Sequence, residues 1–231
     1  MTNIRQARPD ELPAVVKCIL AAINKERLWT NFVPAKGGQD EGYLAEIENL
    51  LKEHLDPSNK DWVIEVVDLA KKGAPAQIVA VAVWDMSAAS EEDKKDANTA
   101  QQPQTAIRDD RLRAYIEVLR KARADVFSRY AQHTYLQLLA THPDHQNRGY
   151  GKDLVHSYMA KAKQKGGVLT ALGGPFGYIF FSGLGFHDLG PVELPPSSAT
   201  DAQMVKAMSL VINQEERRRS IVDSLINYIS S

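Results

Sequence analysis

The chain is poor in cysteine: Cys18 is the only one in 231 residues. No disulfide can form within it, which excludes a disulfide-stapled scaffold. Cys18 lies among Val15, Val16, Ile19 and Leu20 in a helical pattern, so a thiol turned into the core is predicted rather than a reactive one. Long apolar runs are missing too. The longest, 78–84, falls far short of the roughly twenty residues that a membrane-spanning helix needs. Residues 1–8 hold no apolar leader segment. Charge of one sign is not in excess: 28 Lys and Arg stand against 29 Asp and Glu, and no nucleic-acid footprint results. His142, His145, His156 and His187 have no second ligand four residues on along a shared helix, so metal-ligand spacing is absent. There is no Ser-His-Asp order, and covalent catalysis has no support. The expectation is a soluble cytoplasmic protein, monomer or homodimer, with no metal, no nucleic-acid partner and no membrane contact.

What is present is an alternation of strand and helix patterns. Strands are predicted at 3–8, 62–68, 77–84, 135–141, 168–172 and 204–212, with one more after Phe186. The run 78–84 is almost continuously apolar, as a central strand covered on both faces would be. Helices are predicted from Pro9 to Ile23, at 39–54, at 107–130, after Lys152, and at 175–182. The stretch 87–104 has almost no large apolar residue and reads as a mobile surface loop. The helix after it carries Arg108, Arg111, Arg113, Arg120, Lys121, Arg123 and Arg129, a basic face read as solvated. A closing helix within 213–231 would turn Ile221, Val222, Leu225, Ile226 and Ile229 inward. The whole reads as one domain, 1–231, of mixed α/β class with helices on both faces of the sheet.

The most informative segment runs from Leu138 to Lys152. An apolar strand ends at Thr141, a turn containing Pro143 follows, then Gln146-Asn147-Arg148-Gly149-Tyr150-Gly151, then an amphipathic helix carrying Leu154, Val155, Tyr158, Met159 and Ala162. Backbone N–H groups of a glycine loop and an opening helix converge on one point and favour an anion there. Two familiar phosphate loops do not fit. Gly151-Lys152 is followed by Asp153, and the earlier glycine of a P-loop is Gln146. The third glycine of a dinucleotide fingerprint is also missing.

The long form, strand then H-P-D-x-Q-x-R-G-x-G then helix, resembles the acyl-CoA pyrophosphate loop of the GNAT superfamily of N-acyltransferases. Tyr178 to Phe186 is similar to the same family's helix ending in L-Y-x-x-L-G-F. The resemblance extends over about 3–212, with its specific motifs within 135–186, and fungal-type members look most similar. It implies a mostly antiparallel sheet of about seven strands, with an insertion at 87–130 before the fourth strand and a C-terminal helix. It also implies acetyl-CoA as acyl donor. Leu139, Ala140 and Thr141 would lie along pantetheine, Gln146 would cap the turn, and Asn147, Arg148, Gly149, Tyr150, Gly151 and Lys152 would hold the pyrophosphate. Trp29 and Phe32 would form a lid over the acceptor, with Trp84 and Asp85 near its entrance.

The proton-transfer positions depart from the family pattern. The tyrosine that serves as general acid is replaced by Phe181, and the two fourth-strand positions that often carry a base are Gln137 and Tyr135. Gly174 stands where many relatives place a polar residue. Substitutes are Tyr178, three residues before Phe181, and His133, ahead of the strand. Three functions follow: acetylation of a primary amine on a small molecule by direct attack in a ternary complex, a catalytically weak CoA-binding or sensor protein, or acetylation of a protein or peptide.

Overall fold

The computed structural model describes residues 3–23, 41–71, 73–86, 110–130, 132–162, 167–193 and 204–212. Strand β1 (Ile4–Gln6) leads through a 3-10 turn at Pro9–Glu11 into helix α1 (Leu12–Ile23). Pro9 needs no backbone donor at this first turn, and Asp10 and Glu11 suit its positive end. The chain continues as α2 (Glu41–Lys52), β2 (Trp62–Asp68), β3 (Ile78–Asp85), α3 (Asp110–Phe127) and β4 (His133–Thr141). It ends, within the described residues, as α4 (Tyr150–Ala162), β5 (Val168–Gly173), α5 (Pro175–Gly183), β6 (His187–Glu193) and β7 (Met204–Val211).

The seven strands form one sheet in the order β1-β2-β3-β4-β5-β7-β6. Only β4 and β5 run parallel; every other pair is antiparallel. This is the mixed, mostly antiparallel architecture expected from the sequence. Strand β3 is buried along its whole length, as its unbroken apolar run required. One face packs Val15, Val16 and Ile19 of α1 and Phe127 of α3 against Val66, Val81 and Tyr135. The other packs Leu154 and Val155 of α4 and Phe181 of α5 against Ala80, Ala82, Leu136 and Ala171.

Three sequence expectations are adjusted. Helix α3 stops at Phe127 rather than 130, because Ser128 Oγ and Arg129 Nε donate to the carbonyls of Asp125 and Val126 and close its end. Strand β4 begins at His133 rather than Tyr135, since its ladder with β5 starts at His133 and Val168. Arg123 does not belong to a solvated basic face. Its Nη1 donates to the buried Asp85 at 2.5 Å, and its guanidinium lies 4.4 Å over the Tyr135 ring. The readings for 87–104, for 213–231 and for Trp29 and Phe32 fall outside the described residues.

Buried charges hold the layers together. Glu65 on β2 is fully buried; it accepts the Trp84 indole N–H at 3.2 Å and the Lys161 ammonium of α4. At the sheet edge, Arg5 of β1 donates to Glu11 at 2.6 and 2.7 Å and to Asp68 at 2.6 Å. This pairing holds the Glu11 carboxyl below its ordinary value of 4.5, against the opposing effect of burial. A depressed folded-state value contributes stability above the ordinary glutamate range, and that stability is lost as pH falls through the folded value. Arg5→Met is therefore expected to cost about 2–3 kcal/mol at pH ~7, less than a fully buried pair because Arg5 is part-exposed. The urea midpoint of the variant should also fall less steeply than wild type between pH ~5 and pH ~3.

Candidate active site

The site is organised by a break in the sheet. In the β3–β4 ladder, Trp84 pairs with Leu136 and Val83 with Leu138, so Gln137 is an extra residue, a β-bulge. The parallel β4–β5 ladder ends at the pair Leu136 and Ala171, beside that bulge. Beyond it β5 stays paired with β7 as far as Gly173, while β4 continues along β3 to Thr141. The two strands part toward their C-terminal ends. The backbone groups of 137–141 that would bond β5 face the gap instead, where a ligand bearing amides can satisfy them.

The glycine loop closes the mouth of this gap. His142 Nδ1 accepts the Asp144 N–H at 3.3 Å, and Pro143–His145 make a 3-10 turn. Gln146 Nε2 donates to the Thr141 carbonyl at 3.1 Å, and Arg148 Nη2 donates to the Asp144 carbonyl at 3.0 Å. Asn147 (φ 59°) and Gly149 (φ 86°) both adopt left-handed backbone. A Cβ on Gly149 would meet no atom within 4 Å, so the glycine is demanded by backbone angle, and the space above it is open. The first bond into α4 is Asp153 N–H to the Gly149 carbonyl at 2.9 Å. The N–H groups of Tyr150, Gly151 and Lys152 have no acceptor within the helix and add their dipole to the same point. Gly151 sits against the strand end: a Cβ there would lie 3.6 Å from Thr141 Oγ1, 3.7 Å from Leu139 and 3.8 Å from Phe180. Exposed Arg148 and Lys152 flank the loop.

The structure thus brings together Leu139, Ala140, Thr141 and Gln146 through Lys152. The other candidates lie elsewhere. His133 lies within the fourth strand rather than ahead of it. It is the first residue of β4, 8% exposed and 5.9 Å from the Phe127 ring. Burial, with Arg123 nearby, pushes its imidazole down to about 4, and four strand positions separate it from Gln137 by about 13 Å. Tyr178 is part-exposed, its ring 5.9 Å from Lys206 Nζ. Lys206 pairs with Gly173 on the edge of β5 that faces β7, so Tyr178 lies on the side of β5 away from the gap. Trp84 does not wall a substrate entrance: it is fully buried, stacked on Tyr158 at 4.0 Å. Asp85 ends β3 and is neutralised by Arg123. Trp29 and Phe32 lie outside the described residues.

On the face opposite α4, the positions nearest the bulge carry no base. Burial pushes the Tyr135 phenol up to about 12, and Gln137 is exposed but not ionisable. Phe181 is buried, in contact range of the positions a Cβ would take on Gly173 (3.3 Å) and Gly177 (3.6 Å). Among the described residues no group of three or more His, Cys, Asp or Glu could hold a metal ion. The bulge is the functional feature that the sequence reading missed. Its one trace is a polar Gln137 inside Leu136-Gln137-Leu138-Leu139, where period-two alternation fails.

Comparison with known proteins agrees with this geometry. Residues 66–173 match the sequence model of the acetyltransferase (GNAT) family. A polyamine N-acetyltransferase of Drosophila melanogaster, described as forming N-acetylagmatine, superposes with a TM-score of 0.61 at 17% identity, covering 91% of this chain and 100% of its own. A protein of the mosquito Aedes aegypti, provisionally assigned as arylalkylamine N-acetyltransferase 7, gives 0.60 at 16% identity over 91% and 87%. A Salmonella typhimurium protein, provisionally assigned as an acetyltransferase and solved with its cofactor acetyl-CoA, gives 0.50 at 14% identity over 93% and 95%. No curated protein matches the sequence significantly. The match over 66–173 resembles a GNAT-family acetyltransferase domain, and the fold is the one that these solved acetyltransferases share.

Gly149→Asp tests the loop directly. It forces a side chain into left-handed backbone, at about 1–2 kcal/mol, and sets a carboxylate where an anion would sit. Coenzyme A binding by calorimetry is expected to disappear in a variant whose circular dichroism matches wild type. Unchanged affinity would remove the anion role from the loop.

Proposed function

We propose that the protein is an acetyl-CoA-dependent N-acetyltransferase acting on a primary amine of a small molecule, by direct attack in a ternary complex. The observation that carries this reading is the coincidence of the Gln137 bulge, the end of the β4–β5 ladder and the left-handed Asn147–Gly149 loop at one gap. The amine-acetylating relatives support the acceptor class. Acetyl-CoA supplies the acetyl group as a thioester. Residues 147–152 hold its pyrophosphate through backbone N–H groups, so most of that recognition survives side-chain change. Leu139, Ala140 and Thr141 offer their free strand edge to the amides of the pantetheine arm. The bulge turns backbone at Gln137 and Leu138 toward the gap, where an N–H can stabilise an oxyanion.

Among the described residues, proton-transfer groups at the gap are sparse. An amine must lose a proton before it attacks, and neither Gln137 nor Tyr135 can take it, so among these positions the proton has only solvent to go to. On the departing side Phe181 has no proton to give. A thiol has a pKa of about 8.5, so its thiolate leaves without an acid, more slowly. That deficit favours a second reading, a CoA-binding protein with weak catalysis, on the specific observation of Phe181, Gln137 and Tyr135, whose phenol burial keeps protonated.

Thiol release with acetyl-CoA and a panel of amines that includes agmatine and arylalkylamines separates the two. Turnover is expected with at least one amine, and coenzyme A binding without turnover would favour the second reading. In the same assay Phe181→Tyr is expected to raise turnover by at least about tenfold, the lower edge of general-acid effects. Tyr178→Phe is expected to stay within about twofold of wild type, because its ring faces Lys206. A large loss in Tyr178→Phe would return that hydroxyl to the reaction.

A further inference from the structure

Helix α5 is unlike a surface helix. Its sequence, Pro175-Phe176-Gly177-Tyr178-Ile179-Phe180-Phe181-Ser182-Gly183, has no charged residue on any side. Phe181 faces the sheet, and Phe180 faces the glycine loop, in contact range of the position a Cβ on Gly151 would take. The outer side carries Phe176 at 72% and Ile179 at 68% exposure, three residues apart on one stripe. A helix that is apolar all round belongs in an interior, yet nothing in the described fold covers this side.

We infer that the outer face of α5 is the docking surface for the chain's own C-terminal segment, residues 213–231, bound in cis. Three observations select this occupant. The chain leaves β7 at the right place. Ile212 N–H donates to the Gly167 carbonyl, and its side chain joins Leu210 on the α5 side of the sheet. Gly185, just past the end of α5, is 4.0 Å from Leu210 when given a Cβ, so the segment starts where α5 stops and can run back along it. The segment has the complementary pattern. Ile221, Val222, Leu225, Ile226 and Ile229 fall on one side at helical spacing. That stripe, as a helix, is about 12 Å long at 1.5 Å per residue, and α5 is about 13 Å. Its charge fits as well: in an antiparallel arrangement Arg217, Arg218 and Arg219 come beside the negative C-terminal end of α5.

A second copy of the chain suits the surface less. Phe176 and Ile179, with Tyr178 at 37%, fall far short of the roughly 800 Å² per partner that a stable dimer uses. The neighbouring sheet edge, β6, is broken by a register shift between Asp188 and Gly190 and carries Pro191, which discourages strand pairing with another copy. Docking in cis also backs the wall of the glycine loop, because Phe180 and the outer stripe belong to one short helix.

The test is made on the full chain. Cys18 is buried at 1% exposure and stays out of exchange chemistry, so Ile179→Cys combined with Ile226→Cys leaves one reactive pair. Mild oxidation is expected to give an intramolecular disulfide in a monomer, seen by mass and by gel mobility without reductant. Disulfide-linked dimers would assign the face to a second copy and overturn the proposal. Hydrogen exchange of unmodified protein keeps the test independent of that variant. Amides of 221–229 and of α5 are expected to be protected at all protein concentrations. In Ile226→Asp both are expected to exchange at least tenfold faster while β3 is unchanged. Unprotected 221–229 in wild type, or an α5 indifferent to Ile226→Asp, would equally overturn it.

Discussion

The parting of β4 from β5 beyond Leu136 and Ala171 governs what the rest of this molecule can do. A closed seven-stranded sheet would satisfy its own backbone and offer nothing to a ligand. Here one inserted residue, Gln137, shifts β4 relative to β3 while β5 remains committed to β7. The strands diverge because each is held on its far edge by a different partner. The unpaired backbone costs free energy in the isolated protein, and a ligand with amide groups can recover it. The glycine loop stands at the end of that same strand, so the loop and the open strand edge are set by one stretch of chain and hold a fixed spacing.

Such a gap tolerates no slack in the elements beside it, and the buried charges supply the stiffness. Glu65 ties β2 to both Trp84 of β3 and Lys161 of α4, so the helix that opens at the loop is anchored at its far end. Trp84 stacked on Tyr158 adds an apolar brace between the same two elements. On the opposite face Asp85 and Arg123 fasten helix α3 to the end of β3, with Arg123 over Tyr135. These pairs involve groups that are costly to bury alone, and each joins elements distant in sequence, so they specify how layers meet more than how firmly they hold.

That distinction explains what could be read from the sequence. The loop was legible because its chemistry is a backbone property written locally. Glycine and asparagine mark left-handed angles, proline marks the turn, and an apolar strand and an amphipathic helix bracket them. Strand β3 was legible because burial on both faces leaves an unbroken apolar run. The bulge was not, since one extra residue changes register without changing composition. The pairing of Arg123 with Asp85 was hidden by a separation of 38 residues, and Arg123 looks like its exposed neighbours on α3. Trp84 and His133 were misplaced for a related reason. An aromatic or a histidine at a strand end suits a site or a core equally well, and only the packing of a second layer decides between them.

The site therefore has an uneven character, and the unevenness has a physical basis. In the proposed function, the donor would be held by backbone N–H groups, a helix dipole and a strand edge, none of which depends on which side chain stands at a given position. Proton transfer depends on single atoms. Phe181 keeps the shape of a tyrosine and the packing against Gly173, Gly177 and Phe186 while removing the oxygen. Tyr135 keeps its oxygen, but burial holds the proton on it. Both side chains still pack into the fold, and under the proposed function their effect would fall on proton transfer. A thioester is reactive enough that positioning it beside an amine supplies most of what catalysis needs. Under the proposed function, the architecture would act chiefly by holding two reactants in register.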